Sequence, residues 1–111
     1  MSLGLDAEPA QPLPAELAEV ICTAAEKDFL VQHGDEGIPW DRLFFSAKES
    51  AFKCVFPLQR RFVEFGQVRI AWLGANAFRV CMEGLPEAEE RICGCFAVRD
   101  GFILTTAMWR A

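Results

Sequence analysis

The last third of the sequence contains a turn signal that limits the possible folds more than any other feature. Asp100-Gly101 lies between two runs rich in β-branched and aromatic residues, CGCFAVR and FILTTAMW. Asp-Gly is a preferred pair for the two-residue turn of an antiparallel hairpin, because that turn needs positive φ angles. The sequence therefore predicts a β-hairpin centred on this dipeptide.

Two further strands are predicted immediately before this hairpin. Apolar residues alternate with polar or small ones in two runs, namely Val68, Ile70 and Trp72, then Phe78, Val80 and Met82. Alternation with a period of two is typical of a strand with one buried face. A turn at residues 74–76 would join the two runs, so the second half of the chain is predicted to form an antiparallel sheet.

The first part of the chain is predicted to contain one strand and two short helices. The segment LGLDAEP alternates in polarity and is predicted to form a strand that ends at Pro9. A helix is predicted to begin near Pro14, since proline suits a first helical turn. Thr23 and Glu26 have the spacing of a capping box and predict a second short helix.

The main helix is predicted over residues 41–56, with Asp41 as its N-cap and Pro57 just past its end. The segment PEAEE is interpreted as a solvated acidic turn. The order of strand, helices and then several strands indicates an α+β fold in which an antiparallel sheet packs against one long helix.

Length, charge and cysteine content narrow the class of protein. At 111 residues the chain is expected to form one domain, and MSL at positions 1–3 is interpreted as a leader added by cloning. The net charge of −5 argues against general nucleic-acid binding. No apolar run reaches the roughly 18 residues of a membrane span, and no secretory signal is recognised. Five cysteines are interpreted as free thiols, which indicates a cytoplasmic protein.

Charged residues of the main helix lie close to its apolar face. At about 100° per residue, Lys48 falls inside the apolar arc, Glu49 lies at its edge and Lys53 lies one turn further on, with Ser46 and Ser50 continuing the polar side. Spacing alone favours a surface pair between Glu49 and Lys53, with the stem of Lys48 extended along the core. The alternative is a site in which a bound ion or ligand neutralises these charges.

A second group of charges lies on the first predicted strand. Asp6 and Glu8 are two residues apart, so their carboxylates share one face. A divalent cation would relieve their repulsion, although the pattern taken alone favours an exposed strand end. If Glu49 reaches the same place, the three carboxylates suit Mg²⁺, and Lys48 and Lys53 would offset the charge of a diphosphate.

These two segments together resemble the signature motifs of the 4′-phosphopantetheinyl transferases. GLDAE resembles the family pattern G-[IVL]-D-x-E, and FSAKESAFK, about forty residues later, resembles [WF]-[ST]-x-K-E-[SA]-x-x-K. The flanking segments FPLQRRFVEFGQVRI and VRDGFILTTA resemble the enterobactin-synthase type. The likeness covers nearly the whole chain, from Gly4 to about Ala107.

The resemblance implies an activity and a set of site residues. Members of this family transfer the phosphopantetheine arm of coenzyme A to a serine of an acyl or peptidyl carrier protein. The resemblance implies that Asp6, Glu8 and Glu49 are Mg²⁺ ligands. It further implies that Lys53 contacts the transferred phosphate and that Lys48 supports phosphate binding or orients the site. Glu49, or a water held by it, is expected to accept the serine proton.

The resemblance also implies that this chain is one half of a two-lobed enzyme. Enterobactin-type transferases are about twice as long, and GLDAE begins their second half. The chain is therefore expected to be a C-terminal half, incomplete as a catalyst and prone to self-association. Two alternatives remain: a non-catalytic interaction or dimerisation domain, and a stand-alone holo-acyl-carrier-protein synthase that acts as a homo-oligomer.

Overall fold

The computed structural model describes residues 1–110, which contain five strands, four α-helices and one 3₁₀ turn. In chain order the elements are β1 (Ser2–Pro9), α1 (Ala15–Ile21), α2 (Ala24–Gln32), α3 (Trp40–Gln59), the 3₁₀ turn (Phe65–Gln67), β2 (Val68–Trp72), β3 (Ala77–Met82), α4 (Ala88–Arg91), β4 (Ile92–Arg99) and β5 (Phe102–Trp109).

The strands form a single sheet in the order β1-β5-β4-β3-β2, and every neighbouring pair is antiparallel. Both predicted hairpins are present. Asp100 and Gly101 have φ angles of 53° and 80°, and Ala75 and Asn76 have φ angles of 59° and 58°. Two consecutive positive φ angles match the twist of the strands that such a turn connects.

Helix α3 packs across one face of this sheet and provides the centre of the core. Its buried face includes Phe44, Ala47, Ala51 and Val55, which form one hydrophobic cluster with buried sheet residues such as Ala107 of β5. The predicted α+β fold, with an antiparallel sheet against one long helix, is confirmed.

The predicted ends of α3 were wrong in detail. The helix begins at Trp40 after Pro39, and Asp41 lies in its first turn, where Oδ2 accepts a hydrogen bond from the Leu13 amide at 3.0 Å. Pro57 lies inside the last turn, where it removes one amide donor without ending the helix. The helix stops at Arg60, whose φ of 53° is left-handed and whose amide donates to the Phe56 carbonyl.

Two smaller predictions have different outcomes. The capping box of Thr23 and Glu26 is confirmed, because each side chain accepts a hydrogen bond from the other residue's amide. The acidic segment PEAEE was predicted to be a turn only, but its end begins the short helix α4, whose Ala88 is fully buried. Within residues 1–110, no helix is long and apolar enough to cross a membrane.

Candidate active site

Gly4 brings β1 into backbone contact with α3. A Cβ atom at this position would lie 1.8 Å from the Ser50 carbonyl oxygen and 2.7 Å from the Cys54 amide nitrogen. Only a residue without a side chain permits that approach. Because side chains two residues apart share a face, Asp6 and Glu8 are directed to the same side of the sheet as Gly4.

The polarity of β1 is the reverse of that of an ordinary edge strand. Asp6 is buried and Glu8 is half-buried on the side that faces α3, whereas Leu3 and Leu5 are exposed on the outer face. Burial of carboxylates is unfavourable unless they are paired or bind a cation. This arrangement therefore favours a site over the simple exposed strand end.

Lys53 is the immediate partner of Asp6. Its Nζ atom donates to Asp6 Oδ1 at 3.0 Å and to the Leu5 carbonyl oxygen at 3.0 Å, while half of its side chain remains exposed. The interpretation of Lys53 as a surface partner of Glu49 was wrong, because its ion pair is with Asp6. The free part of the ammonium group remains available to an anion.

Glu8 is held by Arg42, a residue that the sequence did not single out. Arg42 Nη1 lies 3.2 Å from Glu8 Oε1, and its Nε donates to the Gln11 carbonyl oxygen. Burial raises the pKa of Glu8, and the neighbouring carboxylate of Asp6 raises it further, whereas Arg42 lowers it.

Glu49 lies beside this pair. Burial is the first cause that raises the pKa of Glu49, the charge of Asp6 is the second, and Lys53 opposes both. Glu49, which lies midway along α3, therefore experiences the field of Asp6.

The three carboxylates supply the oxygen ligands that a hard cation prefers, although their side chains do not form a closed site. Asp6 Oδ2 is buried and has no hydrogen-bond partner within the described residues. An orphaned carboxylate oxygen beside two further carboxylates is a suitable ligand for Mg²⁺. Across residues 1–110, however, no three acidic, cysteine or histidine side chains lie close enough together to hold an ion.

An apolar groove of about 920 Å³ extends from Glu49 and Lys53 along α3. One wall is formed by α3, and the other by residues 61–66 together with Val20. Phe56 and Phe62 line it and are 45% and 93% exposed, which is unusual for aromatic rings. No pattern in the sequence indicated this groove.

Lys48 lies inside the protein rather than at the site. Its side chain is fully buried, and Nζ donates to the Ile21 carbonyl at 2.7 Å, to Glu26 Oε1 at 2.7 Å and to the Phe65 carbonyl at 3.0 Å. All three ammonium protons are used. The expected contact between Lys48 and a phosphate has no support in this geometry. The interpretation that Lys48 only extends its stem along the core was also wrong, because its ammonium group is buried as well.

The structure also changes the assignment of two serines on the same helix. Ser46 and Ser50 were placed on the polar side, but both are fully buried. Ser46 Oγ hydrogen-bonds to Thr105 Oγ1 at 2.9 Å, and Ser50 Oγ donates to the Ala47 carbonyl at 2.9 Å. Hydroxyl groups that bond nearby acceptors can face a core, which a helical wheel does not indicate.

Comparison with known families and curated proteins gives a consistent result. A model of the 4′-phosphopantetheinyl transferase superfamily matches residues 2–107. The chain is 30% identical to the 4′-phosphopantetheinyl transferase PptT of Mycobacterium tuberculosis, over 94% of this chain and 50% of that protein. It is 39% identical to the 4′-phosphopantetheinyl transferase Svp of Streptomyces mobaraensis, over 94% and 46% respectively. The chain thus spans about half the length of these relatives.

Solved structures share the fold at low sequence identity. The holo-[acyl-carrier-protein] synthase of Thermotoga maritima superposes with a TM-score of 0.70 at 18% identity, covering 98% of this chain and 62% of that one. The Helicobacter pylori synthase, solved in complex with coenzyme A, gives a TM-score of 0.68 at 15% identity, covering 96% and 98%.

Proposed function

This chain belongs to the 4′-phosphopantetheinyl transferase superfamily, and we propose that it is the C-terminal half of an enterobactin-synthase-type transferase. The proposed reaction is Mg²⁺-dependent transfer of the phosphopantetheine arm of coenzyme A to a serine of an acyl or peptidyl carrier protein. The observation that carries the proposal is the group formed by Asp6, Glu8, Glu49 and Lys53 at the head of the apolar groove.

Asp6, Glu8 and Glu49 are the residues that would hold Mg²⁺. Asp6 Oδ2 supports this assignment, since it is buried and has no hydrogen-bond partner within residues 1–110. The pKa values of Glu8 and Glu49 support it too, because burial and then Asp6 raise them and a bound cation would favour the ionised carboxylates. When bound, the metal would neutralise charge on the diphosphate of coenzyme A. Closure of the site would require the Glu49 side chain to turn towards Asp6.

Lys53 is proposed to contact the transferred phosphate. Its ammonium group is half exposed and is held in place by Asp6 and the Leu5 carbonyl, so little side-chain freedom would be lost on binding an anion. The serine oxygen forms a bond to the phosphorus atom as the bond to 3′,5′-ADP breaks. Lys53 would stabilise the charge that develops on the leaving group.

Glu49 is proposed to accept the proton of the attacking serine. Its pKa is raised by burial and by Asp6, which makes it a stronger base than an exposed glutamate. Glu49 also lines the groove, together with Phe52 and Phe56 of the same helix. The groove is therefore proposed to receive coenzyme A with its phosphates at the Glu49 end.

The second half of the enzyme is proposed to cover the outer face of the sheet. On this face β1 carries Leu3 and Leu5, and the neighbouring strand β5 carries Phe102 and Leu104, and all four are more than half exposed. The curated relatives carry about as much chain again as the part that matches. In the second candidate function, a stand-alone homo-oligomeric synthase, another copy of this chain would cover the same face. This candidate is retained because the match to the Helicobacter pylori synthase covers almost the whole of that chain.

Carrier modification is the direct test. The chain is mixed with an apo carrier protein, coenzyme A and Mg²⁺, first alone and then with the N-terminal half of a relative such as Svp, and the carrier is weighed by mass spectrometry. Modification only in the second mixture is expected. Modification by the chain alone would favour the homo-oligomeric synthase.

Binding separates both enzymes from a non-catalytic interaction domain. We expect coenzyme A with Mg²⁺ to raise the unfolding temperature, and Glu49→Gln to abolish that rise, while the exposed control Glu87→Gln retains it. Absence of any shift in the unchanged protein, together with an unmodified carrier in both mixtures, would leave the interaction domain as the better description.

A further inference from the structure

A buried ion pair lies directly behind the groove and has no part in the proposed chemistry. Lys48 and Glu26 have side chains that are 0% and 3% exposed, and Nζ of the lysine lies 2.7 Å from Oε1 of the glutamate. Desolvation of two charges is unfavourable, and hydrophobic residues of similar size often stabilise a fold equally well. The presence of this pair therefore calls for an explanation beyond core packing.

The hydrogen bonds of this pair connect five elements of the fold. Lys48 extends from α3 to the Ile21 carbonyl at the end of α1 and to the Phe65 carbonyl in the 3₁₀ turn. Glu26 accepts hydrogen bonds from two backbone amides. Its Oε1 atom accepts from the Thr23 amide at 2.8 Å, and its Oε2 atom accepts from the Ile70 amide at 2.8 Å. One ion pair thus links α1, α2, α3, the 3₁₀ turn and β2.

Two of these anchor points belong to the wall of the groove opposite α3. Phe65 lines the groove directly, and Val20 lines it one residue before Ile21. Lys48 bonds the backbone at Phe65 and Ile21, so it fixes the distance between that wall and the helix that carries Glu49 and Lys53. No apolar replacement can reproduce three directed hydrogen bonds.

We infer that Lys48 and Glu26 are positioning residues that set the width of the groove for coenzyme A. The inference rests on the proposed function for the identity of the ligand only. It differs from a direct role of Lys48 in phosphate binding, because the effect of Lys48 passes through the position of Val20 and Phe65 and depends on Glu26 equally.

The test uses the double variant Glu26→Gln/Lys48→Met, which removes both charges and nearly preserves side-chain volume. Glu26→Gln alone is the second variant, which removes the negative charge and keeps Lys48. Lys27→Met is the matched control, because Lys27 of α2 forms a surface ion pair with Glu19 of α1. Each variant is measured by amide hydrogen exchange at Gln67 and Val68, whose amides bond to the Glu64 and Phe65 carbonyls, and by titration with coenzyme A and Mg²⁺.

We expect the double variant to keep its circular dichroism spectrum, exchange the two amides faster and bind coenzyme A about tenfold more weakly, since small displacements in a binding site are costly. Glu26→Gln should show the same changes, and the control should show neither. Unchanged exchange and affinity in a folded double variant would overturn the inference. Normal affinity in Glu26→Gln with about tenfold weaker affinity in the double variant would also overturn it, in favour of direct contact by Lys48.

Failure of the proposed function gives a different pattern. If the unchanged protein does not bind coenzyme A, the exchange measurement still decides whether the pair holds the groove wall. Faster exchange in both Glu26 variants would retain the positioning role for a different ligand. Wild-type exchange in both would remove it.

Discussion

Asp6 and Lys53 form an ion pair of 3.0 Å, and within residues 1–110 the second carboxylate oxygen of Asp6 is buried and has no hydrogen-bond partner. The lysine thus neutralises part of the charge of the carboxylate and leaves one ligand position free. A site arranged in this way can accept a cation at Oδ2 without breaking the ion pair at Oδ1.

Replacement of Asp6 by asparagine tests the role of that free oxygen. Asp6→Asn keeps an acceptor for Lys53 and removes the charge that raises the pKa values of Glu8 and Glu49. We expect the unfolding free energy without metal to change by less than about 1 kcal/mol, and the stabilisation by Mg²⁺ to disappear. Thermal unfolding in Mg²⁺ and in EDTA measures both, with the exposed Asp35→Asn as control. A normal Mg²⁺ effect in Asp6→Asn would contradict the assignment.

Loss of Lys48 alone should destabilise the protein strongly. Lys48→Met leaves the buried Glu26 without its counter-ion, and breaking a buried pair in this way typically costs about 3–5 kcal/mol. The surface pair of Lys27 and Glu19 is worth at most about 1 kcal/mol, so Lys27→Met should be nearly neutral. Urea denaturation gives both values. Equal stability of the two variants would contradict the burial of this ion pair.

Gly4 should not tolerate a methyl group. In Gly4→Ala the new Cβ would lie 1.8 Å from the Ser50 carbonyl oxygen, which is backbone and cannot rotate away. Separation of β1 from α3 should cost about 3 kcal/mol or more and weaken Mg²⁺ binding with it. Gly74→Ala is the matched control, because a Cβ there meets no atom within 4 Å. A fully stable Gly4→Ala protein would show that β1 does not contact α3 this closely.

The buried thiol of Cys22 should react only when the protein unfolds. Burial first, and then the charge of Glu26, raise its pKa from 9.0 to about 11, whereas Cys95 is exposed. Iodoacetamide near pH 8 should therefore label Cys95 and spare Cys22, as read by peptide mass spectrometry. Because the folded state resists ionisation of Cys22, this residue's contribution to stability is complete below pH 9 and is lost between about pH 9 and 11. Rapid labelling of Cys22 in the folded protein would contradict this burial.

A charge on the outer face of the sheet should suppress self-association. Leu104 is 51% exposed on β5 and lies opposite Ala7 of β1 and Ala97 of β4. Leu104→Lys should shift the sedimentation profile towards the monomer, because a charged residue is costly in an apolar interface. Val31→Lys controls for net charge at an isolated exposed position. If both variants associate like the unchanged chain, the association surface lies elsewhere.

Local signals in the sequence were sufficient for most of the fold. Asp100-Gly101 and the pair of Thr23 and Glu26 determine a turn and a helix start through chemistry within a few residues, and both are confirmed. The depth of Lys48 was not predictable in this way. Its partner Glu26 lies 22 positions earlier in another helix, and a helical wheel cannot distinguish a lysine that extends along the core from one bonded inside it.

The sequence pattern also could not predict the orientation of β1. Alternation divides Leu3, Leu5, Asp6 and Glu8 between two faces but does not say which face meets the helix. Packing decides the question, because Gly4 fits against the backbone of α3 only when the carboxylates face inwards. The carboxylates were thus predictable as a pair, whereas Arg42 and the aromatic groove depend on tertiary contacts.

The pairing of β1 with β5 makes formation of the site a late event in folding. Residues Ser2–Pro9 pair with residues Phe102–Trp109, so the strand that carries Asp6 and Glu8 has its only sheet partner near the opposite end of the described chain. During synthesis on the ribosome, these carboxylates emerge early but have no strand to join until β5 has left the exit tunnel. Such long-range pairing slows folding. A partly synthesised chain would therefore lack the assembled site, and only a chain with a finished sheet would present it to a ligand.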